Sequence, residues 1–129
     1  MSKFESLFED FQKAIKRLVE VLEQEKTEFI RDSAIKRFEI AFDISWKTLK
    51  AFLEDYYKVR CASPKTCFRE AFNQGLIDYD EIWMKIADWR NDVVHTYKEA
   101  LAERLYSNLP QALEYFQLLG KKIKKASEE

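Results

Sequence analysis

The chain has 129 residues, of which 47% are hydrophobic and 35% charged, and its formal net charge is −1 at pH 7. This size and balance predict one globular domain over residues 1–129 and exclude a disordered chain. A net charge this close to zero excludes a protein that coats nucleic acid by bulk charge, so any such contact would be confined to a site. Because no apolar run has the length of a signal peptide or a membrane span, we expect a cytoplasmic protein with no membrane partner.

The first predicted element is a long helix, because the first 63 residues contain neither glycine nor proline. Apolar residues recur at helical spacing along Lys3–Glu25 and leave the opposite side polar. This pattern predicts an amphipathic helix with one buried face.

A second long helix is predicted over Ser33–Tyr57, with Asp32 as its N-cap. It is apolar on two sides, since Ile40 and Ile44 fall opposite its main apolar stripe. Such a helix is either central in a bundle or shared with a partner, and the pattern favours neither. In the second case Ile40 and Ile44 lie in a subunit contact.

Local capping signals define the next elements. Ser63-Pro64 is typical of an N-cap and first turn, so it predicts a short third helix, for which Gly75 supplies a left-handed C-cap. Asp78 is the predicted cap of a fourth helix over Tyr79–His95. Its expected buried stripe consists of Ile82, Ile86, Trp89 and Val93.

A fifth helix is predicted to begin at the segment Thr96–Glu99, which reads as a capping box. Pro110 either kinks this helix or begins a separate C-terminal helix over Pro110–Lys124. No segment alternates as a strand does. The predicted fold is therefore all-α, an up-and-down four-helix-type bundle with an extra short helix, expected to form a homodimer.

The cysteines predict no metal site. Cys61 and Cys67 are not spaced as a Cys-x-x-Cys pair, and His95 is the single histidine, so Cys and His cannot assemble a zinc set. We expect both cysteines to be reduced thiols, and we expect neither a metal nor a cofactor.

One short segment concentrates residues suited to chemistry. Histidine is readily poised for proton transfer, as His95 would be, and arginine is a rigid clamp for phosphate, as Arg90 would be. Asn91 lies four residues before His95 and could hydrogen-bond its ring, while Tyr97 adds a hydroxyl or a stacking surface for a base. On spacing alone, four such residues at a helix end are more often ordinary surface.

Helix geometry limits how this set can work. Positions 90 and 95 are about 140° apart on a regular helix, so Arg90 and His95 converge poorly within one chain. Either the helix unwinds before His95, or a twofold dimer assembles the site from two copies. Metal-free RNA cleavage fits the second arrangement: one His95 deprotonates a 2′-hydroxyl, its dimer mate protonates the leaving oxygen, and Arg90 stabilises the charged phosphorane.

The segment resembles the Arg-polar-…-His signature of the HEPN superfamily, and the form Arg-Asn-x-x-x-His-x-Tyr looks like its nucleotidyltransferase substrate-binding branch. Related members are toxins paired with a minimal nucleotidyltransferase antitoxin. The resemblance extends over most of Phe38–Tyr106. Its further matches are Phe38-Glu39, Trp46-Lys47-Thr48-Leu49-Lys50, Ser63-Pro64, Arg69-Glu70-Ala71-Phe72, Gly75-Leu76-Ile77, Ile82-Trp83 and Trp89-Arg90-Asn91.

The resemblance implies roles for four residues. Arg90 and His95 match the catalytic ribonuclease pair, Asn91 matches the polar position, and Tyr97 matches the tyrosine that a partner nucleotidyltransferase modifies with AMP. It also implies a homodimer, an RNA or nucleotide ligand and a minimal nucleotidyltransferase partner. We therefore expect a metal-independent ribonuclease toxin neutralised by that partner. The alternatives are a non-catalytic substrate-binding subunit of a two-component nucleotidyltransferase, and a purely structural helical dimer.

Overall fold

The structure is a computed structural model that describes residues 1–78 and 81–129. Within these ranges it contains five α-helices and one 3₁₀ turn and no strand, which confirms the predicted all-helical bundle. The elements are α1 (Lys3–Leu22), α2 (Glu28–Tyr57), α3 (Pro64–Asn73), α4 (Glu81–Asp92), the 3₁₀ turn (Val93–His95) and α5 (Glu99–Ser127). Helices α1, α2 and α5 pack against one another, and α3 and α4 also pack against α2. No helix in the described ranges is long and apolar enough to cross a membrane.

The core is one cluster rich in phenylalanine. Phe116 of α5 packs against Phe11 of α1 and Phe38 of α2, with ring centroids 6.2 and 6.1 Å apart, and all three side chains are fully buried. Phe68 of α3 stacks on Trp83 of α4 at 4.3 Å with the rings nearly parallel, and Trp83 in turn contacts Phe116 at 5.8 Å. Aromatic burial and ring contacts of this kind dominate the stability of a small bundle. They fix α5 and α4, which carry the ends of the candidate site.

Capping explains where the first two helices begin. Ser2 caps α1 and forms a reciprocal box with Glu5, so the predicted start at Lys3 is confirmed, although the helix ends at Leu22. The predicted N-cap of α2 is wrong. The hydroxyl of Thr27 accepts a hydrogen bond from the Ile30 amide at 3.0 Å, and α2 begins five residues before Ser33. Asp32 is inside the helix, where it pairs with Arg31.

The third helix begins and ends as its local signals predict. Ser63 caps α3, Pro64 occupies its first turn, and Gly75 follows the last turn with a positive φ of 76°. The predicted reduced thiols are wrong, because Cys61 and Cys67 form a disulfide. The physical reason is the turn at Ser63, which brings the first turn of α3 back beside the preceding loop and leaves the two Cα atoms 5.2 Å apart.

The start predicted for α4 at Tyr79 lies outside the described residues. Of its predicted buried stripe, Ile86 is buried as expected, whereas Ile82, Trp89 and Val93 are only partly buried. Trp83 and Ala87 are buried in addition, and the ring of Trp83 stacks on Phe68.

The fifth helix differs from the prediction at its start and middle. The Thr96 hydroxyl donates to the Val93 carbonyl at 2.7 Å instead of capping, and Lys98 occupies the N-cap with no side-chain hydrogen bond. The predicted capping box is therefore wrong. Pro110 neither ends nor starts a helix, because α5 continues through it. Its own ring faces solvent, while fully buried neighbours such as Leu109 hold the helix in place.

Ile40 and Ile44 are partly buried and pack against the core. Neither is enclosed within the protomer, so their place in a subunit contact stays a prediction.

Candidate functional site

The predicted site residues lie at the junction between α4 and α5. Arg90 is in the last turn of α4, His95 ends the 3₁₀ turn, and Tyr97 follows in the short turn before α5. The α-helical hydrogen bonding ends at Asp92, so the backbone departs from a regular helix before His95. The chain thus leaves the α-helical path before His95, as one of the two predicted arrangements requires, and assembly of the site from two copies stays a prediction.

Arg90 is held by two carboxylates of α2. Its Nε and Nη2 atoms donate to the Asp43 carboxylate at 3.0 and 3.3 Å, and Nη2 lies 3.2 Å from Glu39. The two-pronged bond to Asp43 is the main cause that raises the pKa of Arg90 above its ordinary value. With 25% of its side chain exposed, Arg90 is a fixed, partly accessible cation.

His95 and Tyr97 are both exposed and lie near each other. Their ring centroids are 6.3 Å apart in an edge-on arrangement, and Tyr97 is 77% exposed. The ammonium group of Lys98 is 5.9 Å from the Tyr97 ring centroid, a cation–π distance. These side chains form an exposed surface with aromatic and basic character.

The two predicted catalytic residues are not bonded to each other. In the described part of the chain, no hydrogen bond or ion pair joins Arg90 to His95, and none joins Asn91 to the His95 ring. Asn91 is exposed. A single protomer thus presents a compensated arginine and a separate His–Tyr pair.

A buried arginine that was not predicted from the sequence pairs with the first turns of α5, directly after the junction. Arg31 near the start of α2 has only 4% of its side chain exposed and pairs with Glu99, with Glu103 at 2.9 Å and with Asp32 at 3.0 Å. Glu99 is the residue that the capping box required, so its bond to Arg31 explains why that box does not form. These bonds raise the pKa of Arg31, with Glu99 as the largest cause.

The Arg31 network has a signal in the sequence. Arg31 is four residues before Ile35 and seven before Phe38, so it falls on the buried stripe of α2. A charge in that position requires partners from another element. Its partners on α5 hold the first turn of that helix, which immediately follows the Tyr97 turn.

The protein is a helical bundle whose candidate site residues lie at one inter-helix turn. The family model described as nucleotidyltransferase substrate binding protein like matches residues 6–127, and the chain belongs to this family. A search of functionally curated proteins finds no match.

Two solved structures are similar to this chain. A protein from Thermus thermophilus is 32% identical, with a TM-score of 0.79, over 89% of this chain and 96% of that chain. A protein from Haemophilus influenzae is 21% identical, with a TM-score of 0.68, over 94% of this chain and 96% of that one. Its structure is described as revealing the fold of a substrate-binding domain of a nucleotidyltransferase. At this identity the second likeness establishes the shared bundle fold.

Proposed function

We propose that this chain is the substrate-binding subunit of a two-component nucleotidyltransferase, with a separate minimal nucleotidyltransferase as its partner. The observation that carries the proposal is the state of Arg90. Two carboxylates already compensate its charge, and no hydrogen bond or ion pair among the described residues joins it to His95, so Arg90 is engaged within the fold while one protomer supplies a single histidine for proton transfer. Membership of the nucleotidyltransferase substrate-binding family supports the same conclusion.

In this proposal the junction between α4 and α5 faces the partner enzyme. The 77% exposure of Tyr97 makes its hydroxyl accessible to an enzyme that transfers AMP, which supports Tyr97 as a modification target. Asn91 and Tyr97 then serve ligand recognition. The proposed setting is the cytoplasm, where a disulfide such as Cys61–Cys67 is uncommon.

Reconstitution tests the proposal. Nucleotidyl transfer by the purified minimal nucleotidyltransferase is measured with and without this chain, and with Tyr97→Phe. Transfer that depends on the chain supports the proposal. A rate that the chain leaves unchanged contradicts it. If Tyr97→Phe abolishes labelling of this chain and leaves transfer to other acceptors unchanged, the Tyr97 hydroxyl is the modified group.

A metal-independent ribonuclease of the HEPN toxin type is the second candidate, and it requires a homodimer. The observation in its favour is that His95 is exposed on a protruding turn, where two copies could face each other. Its test is cleavage of total transfer RNA in chelator by the partner-free protein, beside His95→Ala and Arg90→Ala. Cleavage by the wild type alone supports a ribonuclease, whereas equal cleavage by all three indicates another source. A folded dimer that neither cleaves RNA nor supports nucleotidyl transfer would leave only a structural role.

A further inference from the structure

A recess between α1 and α2 combines a tryptophan with three lysines. Its volume is about 290 Å³. We call it the α1–α2 recess. The chemically distinctive residues that line it are Lys3, Trp46, Lys47, Lys50, Glu54 and Asp55.

Three lysines give the recess its positive charge. Within residues 1–78 and 81–129, no carboxylate lies within ion-pair distance of Lys3, Lys47 or Lys50. All three are exposed, so their ammonium groups can turn toward a ligand. Exposed lysines are usually paired only with water, but three around one concavity raise the local concentration of anions.

Trp46 supplies the other half of the recess. It packs against the core and is partly buried, so its indole is held while part of the ring remains accessible. A fixed aromatic face beside several cations is the combination that binds a base and its phosphates, through stacking and charge.

The recess lies on the same flank of α2 as the carboxylates that hold Arg90. Asp43 is followed by Trp46 and Lys47 at one helical turn and by Lys50 at two turns. The axial distance from Asp43 to Lys50 is about 10 Å at 1.5 Å per residue. A ligand of more than one nucleotide could therefore occupy the recess and reach Arg90.

We propose that the α1–α2 recess binds a nucleotide unit, with its base on Trp46 and its phosphates on Lys47, Lys50 and Lys3. This assignment names the substrate class of the proposed substrate-binding subunit and rests on that proposed function. A mononucleotide and a single strand of RNA share this chemistry. Two carboxylates, Glu54 and Asp55, also line the recess and repel phosphate, which limits the affinity; Glu54 is partly compensated by Arg60 at 3.6 Å.

Fluorescence anisotropy of a labelled six-nucleotide oligoadenylate tests the assignment on the full chain. The variant pair Lys47→Ala with Lys50→Ala should bind about tenfold more weakly, and its salt dependence should fall by roughly 1.4 in log–log slope. Lys124→Ala with Lys125→Ala removes the same charge from the exposed end of α5 and is the matched control. Circular dichroism verifies that each variant is folded.

Two further variants should change the affinity for the oligonucleotide in opposite directions. Trp46→Leu keeps an apolar side chain but removes the stacking face, so binding should weaken about tenfold. Glu54→Gln should tighten binding several-fold because it removes a repelling charge. Competition with ATP distinguishes the sources: displacement by ATP indicates a mononucleotide, and displacement by unlabelled oligoadenylate alone indicates a strand.

Absence of binding, or equal loss in the recess pair and the control pair, would overturn the assignment. Its failure is distinct from failure of the proposed function. If the Lys47/Lys50 variant supports nucleotidyl transfer at the wild-type rate and substrate affinity, only the recess assignment fails. If the chain binds nucleotide in the recess but never affects nucleotidyl transfer, only the proposed function fails.

Discussion

Replacing Asp43 by asparagine keeps a side chain of similar shape and removes one of the two charges that hold Arg90. Arg90 would retain Glu39 at 3.2 Å. Because the Arg90 side chain is partly exposed, water and salt screen the pair, and the expected loss of stability is below about 1 kcal/mol. Asp43→Asn should therefore fold normally.

The same substitution should strengthen anion binding at Arg90. A phosphate that approaches Arg90 also approaches both carboxylates, and one unit charge a few ångströms away in a watery setting contributes about 1 kcal/mol of repulsion. Its removal corresponds to about fivefold tighter binding. Arg90→Ala should have the opposite effect and weaken binding by about tenfold.

The assay is oligoadenylate binding by anisotropy at about 0.1 M and about 1 M salt. At the higher salt the Debye length falls to about 3 Å, so the gain in Asp43→Asn should largely disappear. Asp88→Asn is the matched control, since Asp88 is an exposed carboxylate on α4 paired with Lys65 at 2.7 Å. Unchanged or weaker binding by a folded Asp43→Asn variant would refute the reasoning that Asp43 opposes a ligand at Arg90.

Three further predictions concern stability. The hydrogen bond from Lys26, and after it the bond from Arg31, lower the pKa of Glu103 in the folded protein. The ionised carboxylate therefore stabilises the fold at pH values above its pKa in the unfolded chain. This stabilisation is lost as the pH falls through the lower pKa of the folded state. The Tm of Glu103→Gln should thus be lower than that of the wild type at neutral pH, and the difference in Tm should shrink below about pH 4. A difference that persists into acid would contradict this. Reduction of the Cys61–Cys67 disulfide should cost about 2 kcal/mol for so short a loop, or roughly 6–8 °C in Tm. Alkylation and mass spectrometry of the native protein should find no free thiol. Pro110→Ala should stabilise α5 by up to about 3 kcal/mol in denaturant unfolding, and no gain would mean that the helix already accommodates the ring.

Local signals predicted much of the fold. The start of α1 and both ends of α3 follow from Ser2, Ser63 and Gly75, because a cap is decided by residues within one turn. The start of α2 was missed because the prediction placed the N-cap at Asp32, whereas Thr27 caps the helix. The partner of the buried Arg31 was also missed, since Glu99 is 68 residues away. A single-sequence pattern shows that a charge lies on a buried stripe but does not name its partner.

For the candidate site, too, the sequence predicted what is local and missed contacts between distant residues. It placed Arg90, His95 and Tyr97 in one segment, and helix geometry predicted that Arg90 and His95 converge poorly. It did not find Asp43, because that carboxylate is 47 residues before Arg90 and reaches it only through the packing of α4 on α2. The disulfide was missed because the prediction considered Cys61 and Cys67 only as metal ligands, whereas the local turn at Ser63 brings their Cα atoms to 5.2 Å.

Reconstituted nucleotidyl transfer tests the central claim most directly. The proposed partner, a minimal nucleotidyltransferase, is purified alone, and incorporation of label from α-labelled ATP is followed as this chain is added. We predict that transfer rises with the chain and saturates at a fixed ratio of the two proteins, and that the partner-free chain leaves transfer RNA intact in chelator. Transfer that ignores the chain, together with RNA cleavage that His95→Ala abolishes, would contradict the account and establish the ribonuclease instead.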